Sequence, residues 1–431
     1  MSPINRRTLG VAAAGTLVGT LALHGASAAS RPGDGDTRRE DDAAPVGGRT
    51  AAPGELRGMW IATVEHIDWP AADSTADRAR ADLLALLDEA VRLRLNTIFL
   101  QVRPAADALW PSPFEPWSQW LTGTQGRDPG WNPLEFAVRE AHDRGLALHA
   151  WCNPYRVALH ADPSRLSADH PVRRNPDWAI THGGRLYYDP GLPEVRRFAA
   201  DAMLHAVETH DVDGLHWDDY FYPYPVPGEK FADDASFARH GGTANRADWR
   251  RNNIDLLVRE TAERIRSSRP DALFGVSPFG VWRNRSTDPG GSATSALQTY
   301  DDLYADTRRW VREGWVDYIL PQLYWHIGHA PADYAELVEW WSRTVEGTGV
   351  ALWIGEAVYK VGDPQQPAAW RDPAELSRHL AFCRDRPAVG GHAYFSASRV
   401  VADPLGAMGL LVAEHHGTPA EPPRADPSAR R

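Results

Sequence analysis

Residues 214–220 read GLHWDDY, a short apolar run that ends in two adjacent aspartates. Segments with helical periodicity lie on both sides of it, PEVRRFAADAMLHAVETH (193–210) before and WRRNNIDLLVRETAERIRS (249–267) after. A short apolar run between two such helices is typical of a buried parallel strand. The stretch therefore predicts a β-strand with one helix on each side in the chain.

The same alternation recurs along most of the sequence. Eight apolar runs of strand length are separated by helix-period segments, and they occupy residues 56–64, 97–104, 147–155, 214–220, 273–281, 318–325, 351–359 and 390–398. Eight strands that alternate with helices are typical of a (β/α)8 barrel. We predict an α/β fold, a TIM barrel with long strand-to-helix loops.

The first 28 residues have the features of an export signal. Arg6 and Arg7 precede an apolar stretch that runs to Leu23, and Ala26 to Ala28 form a small-residue cleavage site. This pattern predicts a twin-arginine signal peptide, with an ordinary secretory signal as the alternative. Either signal places the protein outside the cytoplasm, in the medium or at the cell wall. No later apolar stretch is long enough to span a bilayer.

The remaining terminal segments lack periodicity. Residues 29–53 are polar and rich in glycine and proline, which predicts a disordered linker, and residues 417–431 have a similar composition. The folded domain is therefore predicted over residues 54–416.

The composition limits the partners. A net charge of −11 argues against nucleic acid or an anionic membrane surface. The 18 tryptophans exceed the usual share, and aromatic faces stack on sugar rings, although we expect more than half of these side chains to be core. Cys152 and Cys383 fall in a predicted inner strand and an outer helix, so we expect two buried thiols rather than a disulfide.

In a TIM barrel the functional site lies at the C-terminal ends of the strands. Side chains alternate along a strand, and Leu215 and Trp217 suit the layer beneath the helices, so His216 and Asp218 are directed into the barrel. Asp219 begins the following loop. The same alternation in the other strands, with loop and tryptophan residues nearby, predicts a substrate-binding set: Glu65, Gln101, Arg103, Asp107, Trp151, Asn153, Tyr155, His216, Tyr220, Gln322, Tyr324, Trp325 and Tyr394.

Carboxylates, amides and aromatics in one cleft suit a hydroxyl-rich ligand and glycoside hydrolysis. That reaction uses a protonated carboxyl and an ionised one on either side of the bond. Two adjacent aspartates cannot easily both ionise in a partly buried site, so one pKa is expected to rise. Asp218 and Asp219 are predicted to be catalytic, and the second carboxyl of the working pair is one of these two, Glu356, Glu65 or Asp107. Leu352 and Ile354 share the parity of Glu356, which leaves its direction open.

Two other classes of function stay open at this point. The protein could bind polysaccharide without cleaving it, with the carboxylates as hydrogen-bond partners only. It could also be a metal-dependent deacylase, because histidines occur at predicted strand ends (His149, His216, His326 and His392). However, no HxH or HExxH spacing and no dinucleotide or P-loop motif occurs. We therefore predict neither a metal nor any other cofactor.

Eight collinear motifs resemble those of the glycosyl hydrolase-like family 10, a family of exported bacterial barrels. They are RGMWIATVEHIDWP, FLQVRPAADALWPSPFEPWSQWLTG, HAWCNPYRV, YYDPGLPEVR, DGLHWDDYFYPYP, GVSPFGVWRN, LPQLYWHIG and GEAVYKVG. The resemblance covers about residues 54–400. It implies a glycosidase of cell-envelope polysaccharide, and at least one such barrel is similar to enzymes that cut peptidoglycan glycan strands lacking stem peptides. The long segment 104–131, with four tryptophans, is where we expect an additional sugar subsite.

Overall fold

A computed structural model describes residues 54–425 of the chain, which include eleven strands. The strands are β1 Leu56–Ile61, β2 Thr97–Arg103, β3 Ala147–Cys152, β4 Arg156–Ala158, β5 Ala179–His182, β6 Arg185–Tyr188, β7 Gly214–Trp217, β8 Leu273–Val276, β9 Tyr318–Ile319, β10 Ala351–Glu356 and β11 Val389–Tyr394. The predicted signal peptide and linker (1–53) and residues 426–431 lie outside the described residues.

Eight of these strands close into a parallel barrel in the order β1-β11-β10-β9-β8-β7-β3-β2. The α-helices are α1 Ala76–Arg92, α2 Gln119–Thr122, α3 Pro133–His142, α4 Pro171–Arg174, α5 Pro193–Thr209, α6 Asp234–His240, α7 Arg246–Ser268, α8 Thr299–Asp302, α9 Thr307–Arg312, α10 Tyr334–Val345, α11 Glu375–Cys383, α12 Ala397–Ala402 and α13 Ala407–His415. Helices occupy every segment between consecutive barrel strands, so the predicted (β/α)8 barrel is confirmed.

Several barrel strands end earlier than the apolar runs that predicted them. β8 ends at Val276, two residues before Pro278, and β9 ends at Ile319, two residues before Pro321. Proline has no backbone N–H for the ladder, so pairing stops near it. The residues beyond these points form the mouth of the barrel.

Aromatic side chains fill the interior of the barrel. Trp60, Phe99, Tyr318 and Trp353 belong to one buried cluster that is separate from the apolar layer under the helices. Tyr318 needs space next to β8, and a Cβ at Gly275 would lie 2.2 Å from its ring. The interior is thus a packed core, and it supports the polar residues above it.

A small antiparallel sheet, β4-β6-β5, was not predicted from the sequence. It follows β3, and its strands have only three or four residues. The sequence does contain a hairpin pattern, because Gly183 and Gly184 separate two short alternating runs. In the structure these glycines (φ 56° and 71°) form the tight turn of the β5-β6 hairpin. The sheet lies beyond the C-terminal end of β3 and forms part of one side of the mouth.

The described part of the C-terminal tail is attached to the barrel. Thr418 accepts a hydrogen bond from Arg57 (2.6 Å), and Ala420 and Glu421 accept from Asn96 (both 3.3 Å). The prediction of a disordered tail from residue 417 is therefore wrong for these residues, because their backbone carbonyls satisfy donors at the base of the barrel. Among residues 54–425, no helix has both the length and the apolarity needed to cross a bilayer.

Cys152 and Cys383 are both buried and free, as predicted. Cys152 lies at the end of β3 and Cys383 at the end of α11.

Candidate active site

One residue from each barrel strand faces inward at the C-terminal end, and together these eight residues form a ring around the mouth. Alternation from the interior cluster identifies them. The mouth ring consists of Ala62, Gln101, Asn153, Asp218, Ser277, Gln322, Gly355 and Phe395. Asp218 is the acidic member, and Asp219 follows it in the loop.

A chain of hydrogen bonds fixes the orientation of Asp218. Gln101 Oε1 accepts from the backbone N–H of Thr63 (2.9 Å) and of Val64 (3.0 Å). The Gln101 amide group therefore donates, and its Nε2 lies 2.7 Å from Asn153 Oδ1. Asn153 in turn donates through Nδ2 to Asp218 Oδ2. The backbone after β1 thus holds a carboxyl group on β7 through two amide side chains.

The Asp218 carboxyl is buried and only partly satisfied. The side chain is 7% exposed, and its Oδ1 forms no hydrogen bond with the described residues. Burial and the nearby charge of Asp219 raise the pKa of Asp218 to about 8. At neutral pH this carboxyl is therefore protonated, and it offers an unpaired polar atom at the mouth.

Asp219 has more hydrogen-bond donors around its carboxyl than Asp218. Burial raises its pKa as well, but hydrogen bonds from Tyr224 and Gln322 and the charge of Arg156 oppose this rise. The Tyr224 hydroxyl donates to Asp219 Oδ2. Asp219 is therefore the member of the pair that is better suited to the ionised state.

Arg156 is a further candidate site residue that was not predicted from the sequence, although it lies in the motif HAWCNPYRV. Its Nε donates to the Pro104 carbonyl and its Nη1 to the Tyr220 hydroxyl, both at 2.7 Å. The side chain is 2% exposed, and its charge lowers the pKa of both aspartates. Arg156 therefore limits how far the two carboxyl pKa values rise.

Aromatic side chains line the rest of the mouth. Phe395 packs against Trp60 and Trp151 and stacks on Tyr324, with ring centroids 6.0, 6.5 and 6.2 Å apart. Tyr324 and Gln322 are half-buried, so part of each is accessible. Trp325, also half-buried, packs edge-on against Phe279 on the neighbouring loop. The predicted residues that come together at the mouth are Asp218, Asp219, Asn153, Trp151, Gln322, Tyr324 and Trp325. They form a cleft with carboxyl groups on one side and aromatic rings on the other.

Arg103 does not reach the cleft. It is fully buried and forms a two-pronged ion pair with Glu115, with both N–O distances 2.6 Å. Its third nitrogen donates to the carbonyls of Asn153 and Pro154. The prediction that Arg103 binds substrate is therefore corrected: the side chain positions the backbone that carries Asn153.

Glu356 is also placed differently from the prediction. It is fully buried on the outer face of β10, where its carboxylate accepts hydrogen bonds from Tyr334 (2.7 Å), His379 (2.8 Å) and His392 (2.9 Å). These partners belong to α10, α11 and β11, so Glu356 ties the helical layer to the barrel. A catalytic role for Glu356 does not fit this position.

The Glu356 cluster predicts a specific loss of stability at alkaline pH. Burial opposes protonation of His392, but hydrogen bonds to Cys383 and Glu356 outweigh it and raise the His392 pKa to about 10. Because the folded-state pKa of His392 exceeds the ordinary value of about 6.5, protonation of His392 stabilises the folded protein. This stabilisation is complete below about pH 6.5 and is lost as the pH rises through about 10.

Between pH 7 and 9, the loss of this proton should lower the free energy of unfolding of the wild type by about 1.4 kcal/mol per pH unit. We expect His392→Gln to lack this part of the pH dependence, as measured by urea denaturation at each pH. The matched control is His240→Gln, on the exposed His240, which should leave the slope unchanged. Equal slopes for wild type and His392→Gln would contradict the assignment.

Four other predicted substrate contacts are buried away from the cleft. His216 lies inside the barrel, where its Nε2 accepts from the Trp60 indole (3.1 Å) and its Nδ1 therefore donates to the Tyr318 hydroxyl (3.0 Å). Tyr155 and Tyr394 belong to the apolar layer under the helices and are at most 1% exposed. Asp107 is 0% exposed, and burial raises its pKa to about 7. None of these side chains can touch substrate in this conformation.

Two further predicted contacts have different surroundings. Tyr220 is 8% exposed and receives a hydrogen bond from Arg156, so it supports the cleft from behind. Glu65 is exposed on the segment after β1, at the rim.

The histidines that suggested a metal site are scattered. His149 lies with His216 inside the barrel, both bonded to the Tyr318 hydroxyl, whereas His392 lies in the helical layer and His326 at the rim. Within residues 54–425, no three His, Cys, Asp or Glu side chains are grouped as a metal site requires.

The tryptophans of segment 104–131 have different roles. Trp110 is buried and donates to His205 (2.9 Å), and Trp131 is covered by the Arg80 guanidinium (4.7 Å). Trp120 is half-buried and meets the His66 ring edge-on at 5.3 Å, and Trp117 lines a surface cavity of about 530 Å³. Trp117, Trp120 and Trp131 are half-buried, and Arg80 covers one face of Trp131, so Trp117 and Trp120 are the better candidates for a sugar subsite.

Comparisons with known proteins agree with the fold and give the family. The sequence profile described as Glycosyl hydrolase-like 10 matches residues 55–372. Glycosyl hydrolase YngK of Bacillus subtilis (strain 168) is 44% identical over 375 residues, 86% of this chain and 73% of that protein. Glycosyl hydrolase DigH of Escherichia coli (strain K12) is 44% identical over 329 residues, 72% of this chain and 75% of that protein.

Two solved structures share the barrel. The PgaB (BpsB) glycoside hydrolase domain from Bordetella bronchiseptica has a TM-score of 0.51 at 13% identity, over 84% of this chain and 99% of that one. The endo-1,4-beta-mannanase from Rhizomucor miehei also has a TM-score of 0.51, at 11% identity, over 84% and 98% of the two chains. At these identities the likeness concerns the fold alone. The family match and the two 44% identical relatives establish that this chain belongs to the glycosyl hydrolase-like 10 family.

Proposed function

We propose that this protein is an exported glycoside hydrolase that cleaves the glycan strands of peptidoglycan, with Asp218 and Asp219 as its acidic pair. Membership of a glycosyl hydrolase-like family and two relatives named glycosyl hydrolases support the reaction class. The predicted N-terminal signal supports export. The peptidoglycan substrate rests on the resemblance to exported barrels, and the aromatic cleft is compatible with a chain of sugars.

The observation that carries the proposal is the position of the Asp218 carboxyl, which is buried at the mouth with Oδ1 unpaired. A buried carboxylic acid with a pKa of about 8 is protonated at neutral pH and can give its proton to a leaving glycosidic oxygen. Asp219, which receives a hydrogen bond from Tyr224, is the ionised neighbour that stabilises the positive charge developing on the sugar. Asn153 keeps Asp218 in place during the reaction.

This arrangement predicts the alkaline limb of the pH–rate profile. The protonated form of Asp218 is required, and it disappears as the pH rises through about 8. We expect kcat/KM to fall about tenfold per pH unit above pH 8.5. Initial rates of reducing-end release between pH 5 and 10 measure this limb. A profile that stays flat to pH 10 would show that Asp218 is not the acid.

The substrate is tested by mass spectrometry of the products from purified protein and peptide-free peptidoglycan strands in ¹⁸O water. We expect shorter saccharides with ¹⁸O at each new reducing end, which also identifies the sugar whose bond is cleaved. If the strands stay intact but sediment with the protein, the protein binds polysaccharide without hydrolysing it. Release of acetate without chain cleavage would instead indicate a deacylase.

A further inference from the structure

The two aspartates of the mouth lie on one wall. Asp218 is the carboxyl among the eight residues of the mouth ring, and Asp219 adjoins it on the same strand end. In the closed order of the barrel, the strand opposite β7 is β11. Its mouth-ring residue is Phe395, and the flanking strands β1 and β10 contribute Ala62 and Gly355. The wall that faces the aspartates is therefore apolar.

The carboxylates of the nearby loops are committed elsewhere or lie at the rim. Asp68 accepts three hydrogen bonds of 2.8 Å, from the Ala62 N–H, the Ser396 hydroxyl and the Ser398 N–H. Glu115 is paired with Arg103 and is 5% exposed. Glu65 is exposed to solvent on the segment after β1. Of these three carboxylates, none is therefore a buried group free to act from the wall opposite Asp218.

This one-sided arrangement conflicts with the usual two-carboxylate reaction. An acid and a nucleophile or base must stand on either side of the sugar's anomeric carbon, with carboxyl groups about 5–5.5 Å or 6.5–9.5 Å apart. Consecutive residues on one strand end approach the sugar from the same side. A hydrolase with this geometry needs a nucleophile from another source, and substrate-assisted glycosidases obtain it from the sugar itself.

Building on the proposed function, we infer that this site hydrolyses glycosides of 2-acetamido sugars, with the acetamido carbonyl oxygen of the substrate as nucleophile. The acetamido group lies next to the anomeric carbon, so its oxygen can attack to form a five-membered ring. Asp219, held by Tyr224, accepts the acetamido N–H and stabilises the positive charge of that ring. Phe395 and Tyr324 provide the apolar surface for its methyl group.

The bonds and protons balance in two steps. In the first, the carbonyl oxygen bonds to the anomeric carbon, the glycosidic carbon–oxygen bond breaks, and Asp218 gives its proton to the leaving oxygen. In the second, the ionised Asp218 takes a proton from water, the water oxygen bonds to the anomeric carbon, and the ring opens to restore the acetamido group. Two displacements at one carbon retain the anomeric configuration.

The first test uses a thiazoline derivative of the glycan disaccharide, in which sulfur replaces the acetamido oxygen in a closed ring. We expect it to inhibit strand hydrolysis competitively and to bind at least about 100-fold more tightly than the parent disaccharide. NMR of the first-formed product should show retained configuration. Binding no tighter than the parent, or inversion, would overturn the inference.

The second test compares native strands with strands in which the N-acetyl groups have been replaced by N-trifluoroacetyl groups. Fluorine withdraws electrons from the carbonyl oxygen, so kcat/KM should fall by about 100-fold or more if that oxygen is the nucleophile. Equal cleavage of both polymers would contradict the acetamido mechanism alone, and the proposed hydrolase activity would stand. If native strands are not cleaved and the thiazoline does not bind, both the proposed function and this inference fail.

Discussion

Replacing either aspartate of the pair with asparagine is expected to lower kcat/KM on glycan strands by about 10²–10⁴-fold. In Asp218→Asn the new amide cannot give a proton to the leaving oxygen, and in Asp219→Asn it cannot carry the negative charge that stabilises the sugar cation. The two variants should differ with an activated substrate. A nitrophenyl leaving group needs no protonation, so the kcat/KM of Asp218→Asn on the aryl glycoside, which reports bond cleavage, should return close to the wild-type value. The kcat/KM of Asp219→Asn should not.

The same variants should be more stable than the wild type at pH 8 and above. Burial and mutual repulsion raise the pKa of Asp218 to about 8, so the folded protein bears a cost when that carboxyl ionises. Asparagine has a similar shape and no charge, and removing the charge relieves this cost. A higher midpoint of thermal unfolding together with lost activity would identify the pair as functional rather than structural.

The matched control is Asp211→Asn. Asp211 precedes the same strand, and its side chain is 80% exposed, so the substitution removes the same charge outside the cleft. Its activity should stay within about twofold of wild type, because surface substitutions are small in effect. Wild-type activity in both Asp218→Asn and Asp219→Asn would refute the assignment of the acidic pair.

Glu115→Gln is expected to lower the free energy of unfolding by about 3–5 kcal/mol. The substitution leaves the Arg103 guanidinium charged and buried, with 0% side-chain exposure and no counter-ion at its Nε and Nη2. Because Arg103 also holds the carbonyls of Asn153 and Pro154, activity should fall as well. Urea denaturation at pH 7 measures the change.

Glu263→Gln provides the comparison for an exposed ion pair. Glu263 lies 3.8 Å from Arg259 on the surface of α7, and both side chains are about half exposed or more. Exposed pairs of this type contribute about 0.3–0.5 kcal/mol. A loss below about 1 kcal/mol for Glu115→Gln would mean that the Arg103–Glu115 pair does not stabilise the mouth.

Local patterns predicted the barrel because each strand and helix leaves its own periodicity in the sequence. They also placed Asp218 correctly, since Leu215 and Trp217 identify the outer face of β7. The same parity rule failed for Tyr394. Strands of a parallel barrel are buried on both faces, so neither face has a polar pattern that marks it as outward.

The sequence by itself thus determined the fold class, the strand that carries the aspartates and the end of the barrel at which they lie. The tertiary structure decided which polar residues line the mouth and which are buried in ion pairs and hydrogen bonds elsewhere. Asn153 and Asp218 are 65 residues apart, and Arg103 and Glu115 are 12 apart, yet each pair is in direct contact. A pKa depends on burial and on charges brought close by folding, and neither is encoded in the order of neighbouring residues. That is why Glu356 and Asp218, both acidic and both at strand ends, have opposite surroundings and opposite pKa shifts.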